Sequence, residues 1–466
     1  MTATMTPHLP DLRIHIIGAG MGGAGAALAC AKQGFKDIHV WEAAPVIGEV
    51  GAGINIPPNL ARVLDSWGVL SICTDEGIVI THANVLDCET DEVLTTADYS
   101  NYMEQNFGYP FTTVHRSALQ KCLLDGAKNS GVVTFHLGNF ITDYDFDNTR
   151  FQVKHRPSGA NGDSAVTSGG GASDAVTGKL AEGGETEWID ADVIICADGI
   201  KSKARSAMMA RKGEVDEVED TGQAAYRIMV RRSAIKEDPE LVPFFTGTQS
   251  YRWIGEKRHI IAYPIERGDL FNMSTTQPDR HFVEADTWTA VGSKDEMLKT
   301  FHDFCPRVQK LLNFVPEGEV LEWKLRAHQP LPHWIDGKSA LVGDACHPTL
   351  PHIAQGAAMA VEDAAALGVI LAKVKSKDDI HQALLTYQNL RKPRTDWAVL
   401  TAAANSKGLH TNDKEARNQA FRDVKNGGPN PDKMISREIH DRLFLYDVEK
   451  DAAQQYDALF ASAKDV

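Results

Sequence analysis

The sequence lacks the cysteine spacing of a disulfide framework or a zinc knuckle. Its seven cysteines are odd in number and scattered, and no two of them form a Cys-x-x-Cys pair. It also lacks any run of roughly 18 apolar residues, and the stretch from Met1 to Arg13 has no apolar core of a signal peptide. These absences predict buried, reduced thiols and no metal site, in a cytoplasmic, soluble intracellular protein without a membrane span.

Positive charge is scarce relative to negative charge. The 466 residues include 48 lysines and arginines against 63 aspartates and glutamates, which gives a formal charge of -15. A chain with this balance repels polyanions, so we expect no nucleic-acid partner. With 43% hydrophobic residues, the chain can bury the cores of two or three domains. We expect a monomer or a homodimer.

A glycine-rich turn near the N-terminus carries the first chemical signal. Alternating apolar residues predict a strand from Arg13 to Ile17, and a small-residue helix and a second strand follow. The turn places Gly18, Gly20 and Gly23 in Gly-x-Gly-x-x-Gly spacing, and Glu42 ends the second strand. The pattern predicts dinucleotide binding, because glycines let the backbone approach a pyrophosphate and a carboxylate accepts hydrogen bonds from ribose hydroxyls. A turn that merely connects strand and helix is the alternative, and the motif alone does not separate FAD from NAD.

The rest of the chain has a coarse organisation that can be read from periodicity and composition. A buried strand, an antiparallel sheet and two helices are predicted, in that order, at Asp192–Cys196, Gln223–Asn272, Ala357–Lys373 and Ile380–Arg391. Between residues 157 and 187 the chain consists largely of Gly, Ser, Ala, Asp and Thr, which predicts a flexible surface insertion.

Two later motifs narrow the choice of dinucleotide. Residues 197–205 read Ala-Asp-Gly-Ile-Lys-Ser-Lys-Ala-Arg, and residues 341–348 read Leu-Val-Gly-Asp-Ala-Cys-His-Pro. Gln-Gly-Ala at 355–357 and Glu-Asp at 362–363 follow. In this order the motifs resemble the flavoprotein aromatic hydroxylases, which are the group A monooxygenases of the p-hydroxybenzoate hydroxylase fold, and more narrowly their salicylate hydroxylase-like fungal branch. The resemblance covers nearly the whole chain.

The resemblance implies an α/β protein in which a Rossmann-type FAD-binding domain is interleaved with a mainly antiparallel-sheet substrate domain, followed by C-terminal helices. The expected bounds are 1–85, 105–200 and 325–375 for the FAD-binding domain, 86–104 and 201–324 for the substrate domain, and 376–466 for the C-terminal helical region. FAD is the implied cofactor, with NADH or NADPH as a transient reductant. No second Gly-x-Gly-x-x-Gly follows a strand in mid-chain, which fits a nicotinamide without its own Rossmann domain.

The resemblance also assigns residues to the flavin. Asp344 is suited to accept a hydrogen bond from the ribityl chain, although a helix N-cap is the alternative role. Gly356 and Ala357 belong to the segment 355–357 that leads into a predicted helix, where backbone N–H groups would face the isoalloxazine carbonyl and favour the anionic reduced flavin. A plain loop-to-helix entry is the alternative. Arg116 matches an arginine near the phosphates and ribityl chain, and a surface salt bridge is its alternative.

Two further segments receive roles from the resemblance alone. Gly53 and Asn55 lie in a segment that runs along the flavin in the family, where glycines leave room for the ring. Asp198 and Arg205 belong to a motif implicated in handling both FAD and the nicotinamide. Alternatively, Asp198 caps the following helix while Arg205 pairs with it on the surface.

Candidate substrate-facing residues lie in the predicted antiparallel sheet. The resemblance to fungal phenol hydroxylases suggests Arg227 and Tyr263 as catalytic residues that hold the substrate as a phenolate. A fixed cation lowers the pKa of a phenol, and a phenolate ring is electron-rich. A structural pair at the sheet surface is the alternative. His352, in a proline-rich loop, is either a proton relay or a structural residue.

The implied activity is an FAD-dependent, NAD(P)H-consuming monooxygenase that uses O2, through a flavin C4a-hydroperoxide, to hydroxylate a small phenolic or hydroxybenzoate-like substrate. Attack on a salicylate-like acid at the carbon bearing its carboxylate would also release carbon dioxide. Two alternatives stay open. One is a hydroxylase or epoxidase of a larger secondary metabolite such as an alkaloid or polyketide, and the other is a non-catalytic flavin-binding redox sensor with the polar segment 407–433 as partner surface.

Overall fold

The computed structural model describes residues 7–48, 52–155, 185–280 and 289–463. Residues 157–184 of the expected insertion at 157–187 therefore lie outside the described residues. The described strands are β1 (Arg13–Ile17), β2 (Asp37–Glu42), β3 (Gly53–Ile56), β4 (Ile78–Val79), β5 (His82–Asp87), β6 (Val93–Asp98), β7 (Thr112–His115), β8 (Val133–Leu137), β9 (Asn139–Asp145), β10 (Arg150–His155), β11 (Thr186–Asp190), β12 (Val193–Cys196), β13 (Glu219–Arg231), β14 (Gln249–Gly255), β15 (Arg258–Ile265), β16 (Leu270–Pro278), β17 (Thr289–Val291), β18 (Leu321–Ala327), β19 (Ile335–Asp336) and β20 (Ser339–Leu341). The described helices are α1 (Met21–Gln33), α2 (Pro58–Ser66), α3 (Leu70–Thr74), α4 (Tyr102–Phe107), α5 (Arg116–Asn129), α6 (Lys203–Arg211), α7 (Val242–Thr246), α8 (Lys294–Thr300), α9 (Pro306–Asn313), α10 (Gly356–Ala372), α11 (Ile380–Leu409), α12 (Lys414–Asp423), α13 (Arg437–Phe444) and α14 (Val448–Ser462).

A six-stranded sheet with the order β19-β20-β12-β1-β2-β8 forms the first layer. The strand β1 pairs in parallel with β2 and β12, so the glycine turn that follows it lies at the carboxyl edge of the sheet. Ile14 and Ile16 are fully buried on one face of this sheet. On the other face, Phe151 of β10 packs against His15 and Trp41, so the three-stranded sheet β11-β10-β9 covers that side. The predicted strand at 13–17 and the Rossmann-type layer are confirmed.

An eight-stranded sheet with the order β17-β18-β13-β16-β15-β14-β5-β6 forms the second layer. Its pairs are antiparallel except that β5 runs parallel to β14. One face packs on a core with Trp253, Phe244 and Phe301. The domain boundary expected after residue 85 falls inside β5, which belongs to this sheet. Ala204 and Met208 of α6, which lie within the range expected for the substrate domain, pack in the core of the first sheet. The fold class, a Rossmann-type layer with a mainly antiparallel sheet, is confirmed.

The C-terminal region is helical, as expected, but one helix is longer than predicted. The helix predicted at 380–391 is α11, which continues through Pro393 to Leu409. A proline inside a helix removes one hydrogen bond and usually ends it. Here Ala398, Ala402 and Leu409 beyond the proline are buried, so packing offsets the lost bond. The polar segment 407–433 contains the helix α12.

All seven cysteines are buried and unpaired, which agrees with the prediction of reduced thiols. None of the helices described here combines the length and the apolar character that crossing a bilayer requires.

Candidate functional site

The glycine turn between β1 and α1 has the tight geometry that its spacing predicts. Gly18 has a φ of 98°, and a Cβ there would lie 2.4 Å from the carbonyl oxygen of Ala197. A Cβ on Gly23 would lie 1.9 Å from the carbonyl oxygen of Gly18, whereas a Cβ on Gly20 would point into open space. The turn therefore packs against the end of β12 and leaves an exposed backbone at Gly20.

The carboxylate of Glu42 holds the chain next to this turn. It accepts hydrogen bonds from the N–H groups of Ala19 (2.9 Å) and Ala44 (2.8 Å). A cavity of about 430 Å³ opens at the same place, and its lining includes Gly18, Gly20, Glu42 and Asp198. Four of the predicted cofactor residues, all at the carboxyl ends of the neighbouring strands β12, β1 and β2, thus border one cavity.

Asp198 and Arg205 have separate partners. The carboxylate of Asp198 accepts from the hydroxyl of Ser202 (2.5 Å) and from the N–H of Lys203 (2.8 Å), so it stabilises the start of α6. Burial raises the pKa of Asp198. Arg205 is buried, binds Asp216 at 2.8 Å and donates to the carbonyl of Ala345 at 3.2 Å. The alternative pairing of Arg205 with Asp198 on the surface is therefore wrong.

Asp344 lies in the turn that follows β20. Solvent reaches its side chain, yet the protein packed around it raises the pKa of the carboxyl group. His347, Arg116 and Arg227 lie close enough to act in the opposite direction. Arg116 begins α5, and its N–H donates to the carbonyl of Ala52 at 2.9 Å. The structure thus brings Arg116 and the segment of Gly53 into the neighbourhood of Asp344.

A buried network of ion pairs lies behind this turn. The carboxylate of Asp363 accepts from His347 (2.5 Å), from the N–H of Gly343 (3.1 Å) and from Arg391 (2.9 Å). Arg391 also contacts Glu362 at 2.8 Å. Burial acts to lower the pKa of His347, but Cys346 and Asp363 together raise it well above the ordinary value. The network ties the turn of Asp344 to the helices α10 and α11.

Cys346, His347 and Asp363 form one compact group of metal-ligand side chain types among the described residues. Both oxygens of Asp363 are already engaged by Arg391, His347 and the N–H of Gly343. The donor set therefore serves the ion-pair network, and we assign no metal to it.

The segment of Gly53 and Asn55 touches the second sheet. The N–H of Gly53 donates to the side chain of Asn272 at 2.7 Å, and a Cβ on Gly53 would lie 2.7 Å from the ring of Tyr263. Glycine is required here by this close approach. Asn55 is buried in β3, opposite Thr113 of β7.

The helix α10 begins at Gly356, and Ala357 is its second residue. Its N-cap residue Gln355 provides no side-chain cap, because its amide oxygen accepts from Asn59 at 2.9 Å instead. The first N–H groups of the helix are left without a capping side chain, which suits them to a ligand with partial negative charge.

Arg227 and Tyr263 lie on one face of the eight-stranded sheet. Arg227 pairs with Ser274, and Tyr263 pairs with Asn272, so these cross-strand neighbours point to the same side. Burial raises the pKa of Tyr263, and the nearby cation of Arg227 acts against this shift. Around Arg227 this face is only partly covered, along a strip formed by Arg227, Met229, Ile261, Ser274, Leu321 and Trp323.

His352 lies at the buried edge of the same face. Burial lowers its pKa to about 3, and His410 and Arg252 act in the same direction, so its ring is neutral near pH 7. The centroid of its ring lies 5.6 Å from that of His259. Its role as a proton relay stays a hypothesis.

Several residues that shape the site were not predicted from the sequence. They are Asn59, Asn272, Trp323, Arg391 and Arg394, the last of which binds Glu362 at 2.9 Å. Each contacts residues far away in the chain, and none belongs to a motif. The Glu-Asp pair at 362–363 is the feature of the sequence that could have indicated Arg391 and Arg394, because two adjacent acids on a mostly apolar helix require buried cations as partners.

The geometry fits a dinucleotide with a tricyclic ring. The glycine turn offers open backbone beside a cavity, and Asp344, Gly53 and the uncapped start of α10 continue from it toward the second sheet. Residues 11–403 match the protein family described as "FAD binding domain".

Two relatives match over most of both chains. The FAD-dependent monooxygenase OpS4 of Beauveria bassiana is 31% identical over 416 residues, which are 88% of this chain and 89% of the relative. The 3-hydroxybenzoate 6-hydroxylase of Polaromonas naphthalenivorans is 28% identical over 407 residues, which are 87% of this chain and 90% of the relative.

Two solved structures share the fold. CtdE in complex with FAD and substrate has a TM-score of 0.78 at 21% identity, covering 97% of this chain and 99% of the other. A salicylate hydroxylase substrate complex has a TM-score of 0.72 at 21% identity, covering 97% and 98%. The chain belongs to the FAD-binding family matched by residues 11–403 and is a flavin-dependent monooxygenase of group A.

Proposed function

We propose that this enzyme hydroxylates a small aromatic substrate with a phenolic or hydroxybenzoate-like group, using O2 and electrons from NADH or NADPH. The observation that carries the proposal is the partly covered strip around Arg227. An interior sheet face is normally buried, whereas this strip combines apolar side chains with one cation and a serine. A planar ring with an acidic oxygen matches that lining.

The proposed FAD site runs from the glycine turn to the second sheet. The open backbone at Gly20 would receive the pyrophosphate, Gly18 and Gly23 would allow the tight turn and the close helix packing behind it, and Glu42 would accept hydrogen bonds from the ribose hydroxyls. Asp344, Arg116 and the N–H groups of Gly356 and Ala357 would bind the ribityl chain and the ring. Asp198 would act by shaping the cavity through α6. What supports this placement is that Gly18, Gly20, Glu42 and Asp198 border one cavity and that Arg116 lies close to Asp344.

Asp344→Ala tests the placement of the cofactor. A hydrogen bond to an ionised group contributes roughly 1.5–3 kcal/mol, so we expect the dissociation constant of FAD to rise roughly tenfold to hundredfold. The constant is measured by titrating apoprotein with FAD and following the quenching of flavin fluorescence. Asp295→Ala, on an exposed site of α8, is the matched control. Unchanged FAD affinity in a folded Asp344→Ala protein would show that the placement is wrong.

The chemistry divides between the cofactor and the chain. Bound FAD supplies the exchange of two electrons and the activation of oxygen. Arg227 would stabilise the anionic form of a substrate hydroxyl or carboxylate, which lowers the pKa of the bound group. Tyr263, whose own pKa is raised by burial, stays protonated and can donate a hydrogen bond to the same oxygen. The buried side chains on either side of the strip would exclude water from the bound substrate.

Arg227→Gln tests the substrate side. We expect kcat/KM for a phenolic acid to fall roughly hundredfold, because the variant loses a charge-assisted contact of roughly 2–3 kcal/mol. A panel of phenols and hydroxybenzoates is scored by oxygen uptake against hydrogen peroxide release, with product analysis for carbon dioxide. Arg231→Gln is the control, since Arg231 is exposed four residues further along the same strand.

The panel also separates the alternative substrate class. A true substrate consumes oxygen with little peroxide, and Arg227→Gln then affects it selectively. If no simple aromatic is coupled, a larger secondary metabolite is the substrate class and the proposal fails.

A further inference from the structure

The guanidinium of Arg227 lies over the indole ring of Trp323, with 4.8 Å between its Cζ and the ring centroid. Trp323 is on β18, where its cross-strand partner in β13 is Ala225. Arg227 is two residues further along β13 and points to the same side. The small side chain of Ala225 leaves room for the indole to extend across the strand toward Arg227.

This stacking fixes a cation on the strip where the substrate is proposed to bind. A guanidinium is planar and stacks well on aromatic faces, which restricts its rotation. Arg252, a second arginine on this face, is buried and forms an ion pair with Asp432 at 2.8 Å, and Arg231 lies at the exposed end of β13. The acid next to the tryptophan, Glu322, points to the opposite face of the sheet. The indole is thus a contact on this face that restricts the orientation of Arg227.

We propose that Trp323 is a positioning residue that orients Arg227 and thereby sets the preference of the enzyme for anionic over neutral ring substrates. The inference rests on the proposed function, because it assigns the anion of the substrate to Arg227. Trp323 acts through the stacked guanidinium, while its ring edge also forms part of the wall of the strip.

The experiment compares two ligands of nearly equal shape, 3-hydroxybenzoate and its neutral amide, 3-hydroxybenzamide. Their dissociation constants are measured by calorimetry on the FAD-loaded protein. We expect the wild type to bind the anion at least tenfold more tightly than the amide. Trp323→Leu removes the aromatic face, so the anion should bind roughly two- to thirtyfold more weakly while the amide changes little. Trp323→Phe keeps an aromatic face and should retain most of the preference.

The controls separate positioning from packing. Trp188→Leu removes a similar stack, with Arg150 at 4.9 Å, on a different sheet, and should leave both constants unchanged. Trp323→Leu combined with Arg227→Gln should lose no more preference than Arg227→Gln alone. Equal weakening of both ligands by Trp323→Leu, with Trp323→Phe equally affected, would overturn the inference.

The failure of the proposed function has a different signature. If Arg227→Gln leaves the preference intact, or if the wild type binds neither ligand, then Arg227 does not hold the substrate anion. In that case the role of Trp323 fails together with the substrate proposal. If Arg227→Gln abolishes the preference and Trp323→Leu does not, the inference alone is wrong.

Discussion

Replacing Arg391 with methionine is expected to destabilise the protein by roughly 3–5 kcal/mol, the range found when one partner of a buried ion pair is removed. The Arg391 side chain is fully buried and bridges two adjacent acids, Asp363 at 2.9 Å and Glu362 at 2.8 Å. Burial favours the neutral acids, but the nearby cations keep the pKa of both below the ordinary values. Without Arg391 these charges lose their main shared partner. The free energy of unfolding is measured with urea at pH 7.

The same variant is expected to weaken FAD binding. Asp363 accepts from the N–H of Gly343, directly before Asp344, so a shift of Asp363 displaces the turn. Arg422→Met is the matched control, because Arg422 makes a two-point contact with Glu92 on the surface. Exposed pairs contribute at most about 1 kcal/mol. If Arg391→Met costs no more than Arg422→Met, the network does not support the turn as described.

Acidification from pH 7.5 to 5.5 is expected to remove most of the stability. Six buried histidines are neutral near pH 7, because burial lowers the pKa of each. The pKa is about 3 or about 4 in five of them, and in His259 it lies well below the ordinary value. The six are His15, His259, His328, His352, His410 and His440. In the unfolded chain each binds a proton below an ordinary pKa of about 6.5.

The sign of the effect follows from proton binding. Between pH 6.5 and 4 the unfolded state binds more protons than the folded state, so stability falls as the pH falls. At pH 5.5 each histidine contributes roughly 1.4 kcal/mol of this loss, and the six together roughly 8 kcal/mol. The raised pKa of His347 offsets part of this loss above about pH 6.5, and the raised pKa values of Asp198, Asp344 and Glu449 offset a further part at lower pH. Because typical domains are stable by 5–15 kcal/mol, we expect acid unfolding at roughly pH 5.

Urea titrations at pH 7.5, 6.5 and 5.5, at a fixed FAD concentration, measure this dependence. The slope of unfolding free energy against pH counts the protons taken up. His440→Phe should reduce the count by one, because His440 is buried against Phe444 in a stacked arrangement. His302→Asn, at an exposed position, should leave the count unchanged. Equal stability at pH 7.5 and 5.5 would contradict the prediction.

Some elements were predictable because their signals are local. The strand at 13–17 and the glycine turn depend on alternation and on backbone geometry within a few residues. The length of α11 was not predictable in this way. Pro393 predicts a helix end, and only the burial of Ala398 and Ala402 by other parts of the chain explains why the helix continues.

The sequence also did not allow us to predict which residues of different strands are neighbours. Asn272 and Trp323 are ordinary strand residues, and nothing near them in the chain indicates a function. Their roles follow from register, since a shift by one residue would move each to the other face of the sheet.

The dinucleotide turn and the two kinds of sheet were predictable from local sequence patterns, and the ordered flavin motifs indicated the class of enzyme through their resemblance to known hydroxylases. These depend on short spacings, where a few neighbouring residues decide the backbone conformation. Tertiary structure alone decided that Asn272 would contact Gly53, which is 219 residues away, and that Arg391 would pair with Asp363. Such contacts result from the packing of whole layers, to which many residues each contribute a small free energy. No single residue in the sequence therefore predicts them.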